Sequence, residues 1–212
     1  MNIEQQYYES LSTAYRLGYE RRYAEVSEKE RPDMKMHYFK RKEPMARVEM
    51  VLGFLRGIIS GGLCQSLVDV GSGRGAFLFP LMDEFPELKV TSIDILPHRV
   101  ELLRCLQDGG MQTLYPILGN ICDANVAPDK SADIVTMLEV LEHIPDTESA
   151  VRNAVRIARS YIVVSVPSKP DDNPEHIHLF STDDLRRIFT EAGARQVKFM
   201  DVNGHHIMFA TL

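Results

Sequence analysis

The sequence predicts one α/β domain with helices on both faces of a mostly parallel sheet. Three observations lead there. Short β-branched runs alternate with segments of helical periodicity, the pattern of successive strand–helix–strand units. The run Ser66 to Val70 breaks into Gly71-Ser72-Gly73-Arg74-Gly75-Ala76, which reads as a buried strand, a turn whose backbone approaches a ligand, and a helix start. Two strand-like runs near the end flank Asn203-Gly204, the strongest short signal for a hairpin. With 212 residues, 44% of them hydrophobic, the chain suffices for one well-buried core and is short for two.

Each element has its own signal. Tyr7, Leu11, Ala14 and Tyr15 recur at helical spacing with a thin apolar side, followed by a charged segment from Glu20 to Arg31 that Pro32 ends. Such a helix suits a cap over a substrate pocket, a solvated arm or a homodimer contact. Residues 1–43 are therefore expected to form an N-terminal cap or arm, ahead of a domain over 44–212. Pro44 stands where the next helix would start, and Val48, Val51, Leu52, Leu55 and Ile59 share one face up to Gly61-Gly62. Phe77 to Glu84 makes the first crossover helix and Leu88 to Asp94 the second strand. Pro97 opens a helix with Val100, Leu103 and Leu106 inward, stopped by Gly109-Gly110. Thr113 to Leu118 and Ala132 to Met137 are the third and fourth strands. Val151, Ala154, Val155 and Ala158 form a helical stripe between Asp146 and Ser160, and Tyr161 to Val166 is the fifth strand. A Pro/Asp/Asn-rich loop covers Ser168 to Glu175. Ser181 and Asp184 form a capping-box-like start for a last helix with Leu185, Ile188, Phe189 and Ala192 buried, and the hairpin pairs Gln196–Val202 with His205–Leu212.

A formal net charge of −6 provides no general attraction to nucleic acid or anionic membrane, and Lys40-Arg41-Lys42 is the lone basic cluster. Cys64, Cys105 and Cys122 show no C-x-x-C spacing and read as free thiols in a reducing cytoplasm. Neither a basic-then-apolar leader nor eighteen consecutive apolar residues occurs, so a cytoplasmic protein without a membrane span is expected.

Asp94, at the end of the second strand, stands where an open α/β sheet has its ligand crevice. A carboxylate there can accept from both hydroxyls of a ribose. That supports an adenosine ligand without choosing between NAD and S-adenosylmethionine, and the glycine loop also satisfies the G-x-G-x-x-A dinucleotide fingerprint. Asp69, two residues before the first glycine, together with Gly75 gives D-x-G-x-G-x-G, which resembles motif I of the class I S-adenosylmethionine-dependent methyltransferases. The segment Glu139-Val140-Leu141-Glu142-His143-Ile144-Pro145 is the second feature similar to that family. The resemblance covers residues 45–212 and implies a seven-stranded sheet of order 3-2-1-4-5-7-6 with strand seven reversed. A dinucleotide-dependent dehydrogenase would need a further substrate domain. The resemblance assigns the cofactor S-adenosylmethionine to Asp69, Gly71, Ser72, Gly73, Gly75, Asp94, Ile95, Asn120, Ile121, Met137, Leu138 and Glu139. Asn120 departs from it, because the family more often has an acid there; the amide oxygen can still meet an adenine amino group.

Methyl transfer is an in-line displacement on an already activated cofactor, so the protein must position the acceptor, exclude water and in some cases remove a proton. His143, His176 and His178 are the candidate proton acceptors, the last two facing one side of an extended segment. Glu139, Glu142 and His143 fall at helical offsets that would put them on one face. Similar blocks bind a divalent metal in ubiquinone-biosynthesis O-methyltransferases and in small-RNA 2′-O-methyltransferases. The resemblance thus implies Glu139, Glu142, His143 and His178 as ligands for Mg²⁺ or Mn²⁺, while many relatives with the same block need no metal. His205 and His206, after the hairpin turn, are expected to face solvent. The expected activity is methylation of a small-molecule acceptor, most plausibly at oxygen. The alternatives are a metal-dependent RNA 2′-O-methyltransferase and a non-catalytic module that binds S-adenosylmethionine.

Overall fold

Seven strands form one sheet: β1 (Ser66–Val70), β2 (Lys89–Asp94), β3 (Leu114–Leu118), β4 (Ala132–Leu138), β5 (Ala158–Pro167), β6 (Gln196–Val202) and β7 (His205–Thr211). Their order is β3-β2-β1-β4-β5-β7-β6, parallel except for β7, which runs antiparallel to both neighbours. The computed structural model describes residues 3–33 and 45–212; Lys40-Arg41-Lys42 and Pro44 lie outside the described residues. Among the described residues six α-helices surround the sheet: α1 (Ile3–Arg22), α2 (Ala46–Ile59), α3 (Leu78–Glu84), α4 (Pro97–Asp108), α5 (Thr147–Ile157) and α6 (Thr182–Glu191). Side chains of α1 to α4 share one apolar layer, and those of α5 and α6 share the other. β1, β2, β4 and β5 point their C-terminal ends to one edge, and the reversed β7 begins at that same edge.

The termini of the elements follow local chemistry. Ser181 and Asp184 make a complete capping box at α6, and Asp146 accepts from Ser149 N–H to start α5. The hairpin turns on Asn203 (φ 44°) and Gly204 (φ 83°), the left-handed pair of a type I′ turn. The three cysteines are unpaired.

Three expectations need correction. The N-terminal helix ends at Arg22, ten residues before Pro32. Arg22 ion-pairs with Glu101 and Asp108, and Arg31 donates to the Val26 carbonyl, which folds the charged segment into turns. Its apolar side is also thicker than the sequence suggests: Leu11, Tyr15 and Tyr19 are all buried, and the helix packs within the chain on α4. Gly18 makes that crossing close, since a Cβ there would stand 1.7 Å from the Cys105 carbonyl oxygen. Second, α5 stops at Ile157, and Ala158 begins β5 opposite Ala132. The Lys130 ammonium donates to the Val155 and Ala158 carbonyls, ending the helix early. Third, His205 and His206 do not face solvent freely: they pair with Glu139 and Asp201, with side chains 23% and 19% exposed.

Candidate active site

The glycine loop joins β1 to α3. Gly71, Gly73 and Gly75 have φ of +67°, +58° and +77°, so all three require a left-handed backbone. Their surroundings differ. A Cβ on Gly71 would lie 2.7 Å from Val140 Cγ2, and one on Gly75 would lie 2.1 Å from the Phe79 ring, so those two glycines serve close packing. At Gly73 the nearest group is Arg99 Nη1, 3.4 Å from where a Cβ would stand, so this is the one glycine of the three whose Cβ position is not walled by a core side chain. Gly71 N–H donates to Ile93 O at 2.8 Å, which brings the end of β2 against the loop, and Ser72 and Ser92 hydroxyls meet at 2.7 Å.

Asp69 is buried on β1, with Oδ1 accepting from Thr136 on β4 at 2.7 Å and Oδ2 without a partner. Desolvation pushes its pKa up to about 6, opposed by the Ser72 and Thr136 hydroxyls and assisted by Asp94. Asp94 is buried and accepts from Leu96 N–H at 2.9 Å, and Ile95 beside it is 62% exposed at the rim. Asn120 turns its amide oxygen to Cys122 N–H in a local turn. Ile121 and Met137 are buried in the core, so any ligand would meet their backbone rather than their side chains.

The expectation that Glu139, Glu142 and His143 share a helical face does not hold. Glu139 adopts φ 58°, still pairs with β5 through its N–H to Ser165 O, and precedes a short 3₁₀ turn, Leu141–His143. The left-handed residue turns its carboxylate away from the other two. Its oxygens accept from Ser165 Oγ at 2.7 Å and meet His205 Nε2 at 3.0 Å. Glu142 is fully buried and neither carboxylate oxygen has a hydrogen bond. Burial, then the nearby Glu139 and Asp171 charges, push its pKa up to about 8.

The loop after β5 folds onto this turn, because Ile177 and His178 N–H both donate to the Glu142 carbonyl. Burial alternates along it, with His176, His178 and Phe180 inward and Ile177 and Leu179 outward. His176 packs edge-on against His143 at 4.8 Å between ring centroids, whereas His178 lies against Phe180. Glu142, His143 and His176 place ligand atoms within 4.8 Å of one another; Glu139 and His178 stand outside that group. His143 Nδ1 meets the Glu175 carbonyl at 2.9 Å, and His176 Nδ1 meets Asp171 Oδ2 at 2.8 Å. Both contacts call for a proton on Nδ1, leaving each Nε2 as an acceptor.

The profile of the methyltransferase domain family matches residues 15–198. The chain belongs to the methyltransferase family. Two relatives are the ubiquinone biosynthesis O-methyltransferases of Idiomarina loihiensis (31% identical over 112 residues, 52% of this chain and 45% of the relative) and Sodalis glossinidius (33% over 103 residues, 47% and 40%). The chain thus spans less than half the length of these relatives. Among solved structures, a SAM-dependent methyltransferase from Archaeoglobus fulgidus superposes with a TM-score of 0.60 at 18% identity, covering 78% of this chain and 94% of that one. The 1,6-didemethyltoxoflavin-N1-methyltransferase of Burkholderia thailandensis superposes at 0.62 with 17% identity and 78% of each chain. At these identities the structural likeness concerns the fold. It agrees with the sheet order and reversed β7 of this chain.

Several residues of the site carried little sequence signal. Thr136, Ser165 and Arg99 lie far in sequence from the groups they approach, and Asp171 meets nearby His176 only through the fold of an irregular loop. His205 was accessible to inference, since a reversed seventh strand must begin at the ligand edge of the sheet.

Proposed function

We propose that this methyltransferase uses S-adenosylmethionine and methylates a hydroxyl of a small acceptor. The supporting observation is the joining of the glycine loop to the end of β2, where Gly71 N–H donates to the carbonyl of Ile93, the residue before buried Asp94. In this reading Asp69, Gly71, Ser72, Gly73 and Gly75 hold the methionyl end. Asp94 accepts from the ribose, Ile95 and Asn120 border the adenine with the Ile121 backbone, and Met137, Leu138 and Glu139 form the floor. Residues 1–43 act as a cap on a catalytic unit over 44–212. Among the described residues no helix is long and apolar enough to cross a membrane, and unpaired thiols suit the cytoplasm.

When bound, S-adenosylmethionine supplies an electrophilic methyl group on a sulfonium. The chain's part is to orient the acceptor and take its proton. His143 and His176 suit the second task because each has its Nδ1 proton held by an oxygen, leaving Nε2 free to accept. His178, with Nε2 buried and unpartnered, lines the same inward side of the loop. Oxygen as the acceptor atom follows the names of the two O-methyltransferase relatives.

Isothermal titration tests the cofactor. S-adenosylhomocysteine is expected to bind and NAD to fail, and Asp94→Ala should cost the former about 2–3 kcal/mol; binding of NAD in its place ends this reading. A second reading adds a divalent cation, favoured by the convergence of Glu142, His143 and His176 with two unpartnered oxygens. One carboxylate and two imidazoles suit Mn²⁺ better than Mg²⁺. Methylation that survives a chelator excludes a required cation.

A further inference from the structure

The connection between β3 and β4 is held along its length by α5. Arg156 donates to the Ala127 carbonyl at 2.7 Å and to Asp129 Oδ1 at 2.6 Å, and Lys130 N–H donates to the Arg156 carbonyl at 2.8 Å. At the other end of the connection Asn153 Nδ2 donates to the Ile121 carbonyl at 2.8 Å. Asn153 is only 6% exposed, on a helix whose other buried residues, Ala150, Val151, Ala154, Val155 and Ile157, are all apolar. Asparagine is a poor helix former and its amide is costly to bury without partners, so packing alone favours an apolar residue there. The orientation of the amide is fixed, because its oxygen accepts from Arg156 Nε at 3.1 Å and a guanidinium only donates. Ile121, for its part, lies close to the ligand edge: Gly119 N–H donates to the Asp94 carbonyl at 3.0 Å, so the chain leaves β3 beside the residue proposed for the ribose. The Ile121–Cys122 peptide is pinned on both sides, its carbonyl by Asn153 and its N–H by Asn120 Oδ1 at 2.9 Å. The Ile121 side chain is buried, and its N–H makes no hydrogen bond among the described residues.

We propose that Asn153 is a positioning residue for recognition of the cofactor's base: by holding the Ile121 carbonyl it fixes the Ile121 backbone so that the N–H can donate to a ring nitrogen of adenine. This deepens the S-adenosylmethionine reading above and rests on it. Asn153 touches neither base nor acceptor and acts only through Ile121. Adenine has an unprotonated ring nitrogen beside its amino group, whereas hypoxanthine carries a proton at that nitrogen. A rigid N–H donor therefore pairs with the first base and opposes the second, and the discrimination weakens once the peptide is free to turn.

Isothermal titration with S-adenosylhomocysteine and its hypoxanthine analogue, S-inosylhomocysteine, tests this. The parent protein is expected to prefer the adenine compound by about ten-fold or more. Asn153→Asp keeps the shape of the side chain and its contact with Arg156 but loses the donor, and should bring that ratio to about three-fold or less. Asn153→Ala, which adds no buried charge, should do the same and serves where the aspartate variant fails to fold. Val51→Ala opens a gap in the apolar layer on the other face of the sheet; it should lower the urea midpoint and leave the ratio as it is. A ratio unchanged in the Asn153 variants overturns the proposal, as does a parent that binds both compounds equally. An equal fall of the ratio in Val51→Ala also overturns it, since the effect would then be one of stability alone. Failure of S-adenosylhomocysteine to bind the parent is a distinct result, which removes the cofactor reading and this inference together.

Discussion

Asp69 and Glu142 both lie buried near the ligand edge of the sheet, but the chain holds them differently. Asp69 belongs to a regular strand, and the parallel register of β1 and β4 sets Thr136 directly opposite, so one oxygen has a hydroxyl at 2.7 Å. Glu142 sits in a 3₁₀ turn, where no ladder supplies a neighbour; neither oxygen accepts a hydrogen bond, and His143 Nε2 stands 4.0 Å from Oε1. The consequence is graded: burial raises Asp69 to about 6 and Glu142 to about 8. A regular neighbour tempers the cost of burying an acid; an irregular turn leaves it to keep its proton.

The sign of the resulting pH dependence is opposite to that of a salt-bridged acid. A carboxyl whose folded pKa is raised holds its proton in the native state after the unfolded chain has released it, so stability falls as pH rises through that window. For Glu142 the window runs from 4.5 to about 8. Glu142→Gln should abolish this slope and gain about 4 kcal/mol over the parent at pH 8.5. Urea unfolding at pH 5 and 8.5 reads it, and parallel slopes for parent and variant would remove the contrast between the two acids. Asp69→Asn should remove a smaller slope, from 3.8 to about 6, worth roughly 2–3 kcal/mol; an effect equal to that of Glu142→Gln would mean the Thr136 hydroxyl does nothing. The smallest effect is expected from His205→Gln, because its partner Glu139 keeps Ser165: stability should change by less than about 1 kcal/mol. A larger loss would place Glu139 with the poorly supported acids.

The same contrast marks what the sequence made legible. The strands, their helices and the loop from Asp69 to Gly75 were readable because period, punctuation and glycine spacing are local properties of the chain. Asp94 was readable because a strand end has a fixed place in an open sheet. The Glu139–His143 segment was not, because one left-handed residue at Glu139 breaks the helical offset on which the grouping depended. The pairing of His176 with Asp171 and His143 was equally hidden, since it depends on how a loop folds back on a turn. Gly18 carries no signal in the sequence because its meaning lies in a carbonyl on α4, a partner no local pattern reveals.

That crossing of α1 over α4 has a consequence for the order in which the molecule is assembled. Arg22 finds Glu101 79 residues further along the chain, and Tyr7 finds the Phe79 carbonyl 72 residues on. During synthesis the first helix therefore emerges long before any of the surface it is shaped to meet. It must wait, with its tyrosines uncovered, until α4 leaves the ribosome, so a segment made before the sheet is among the last to be placed.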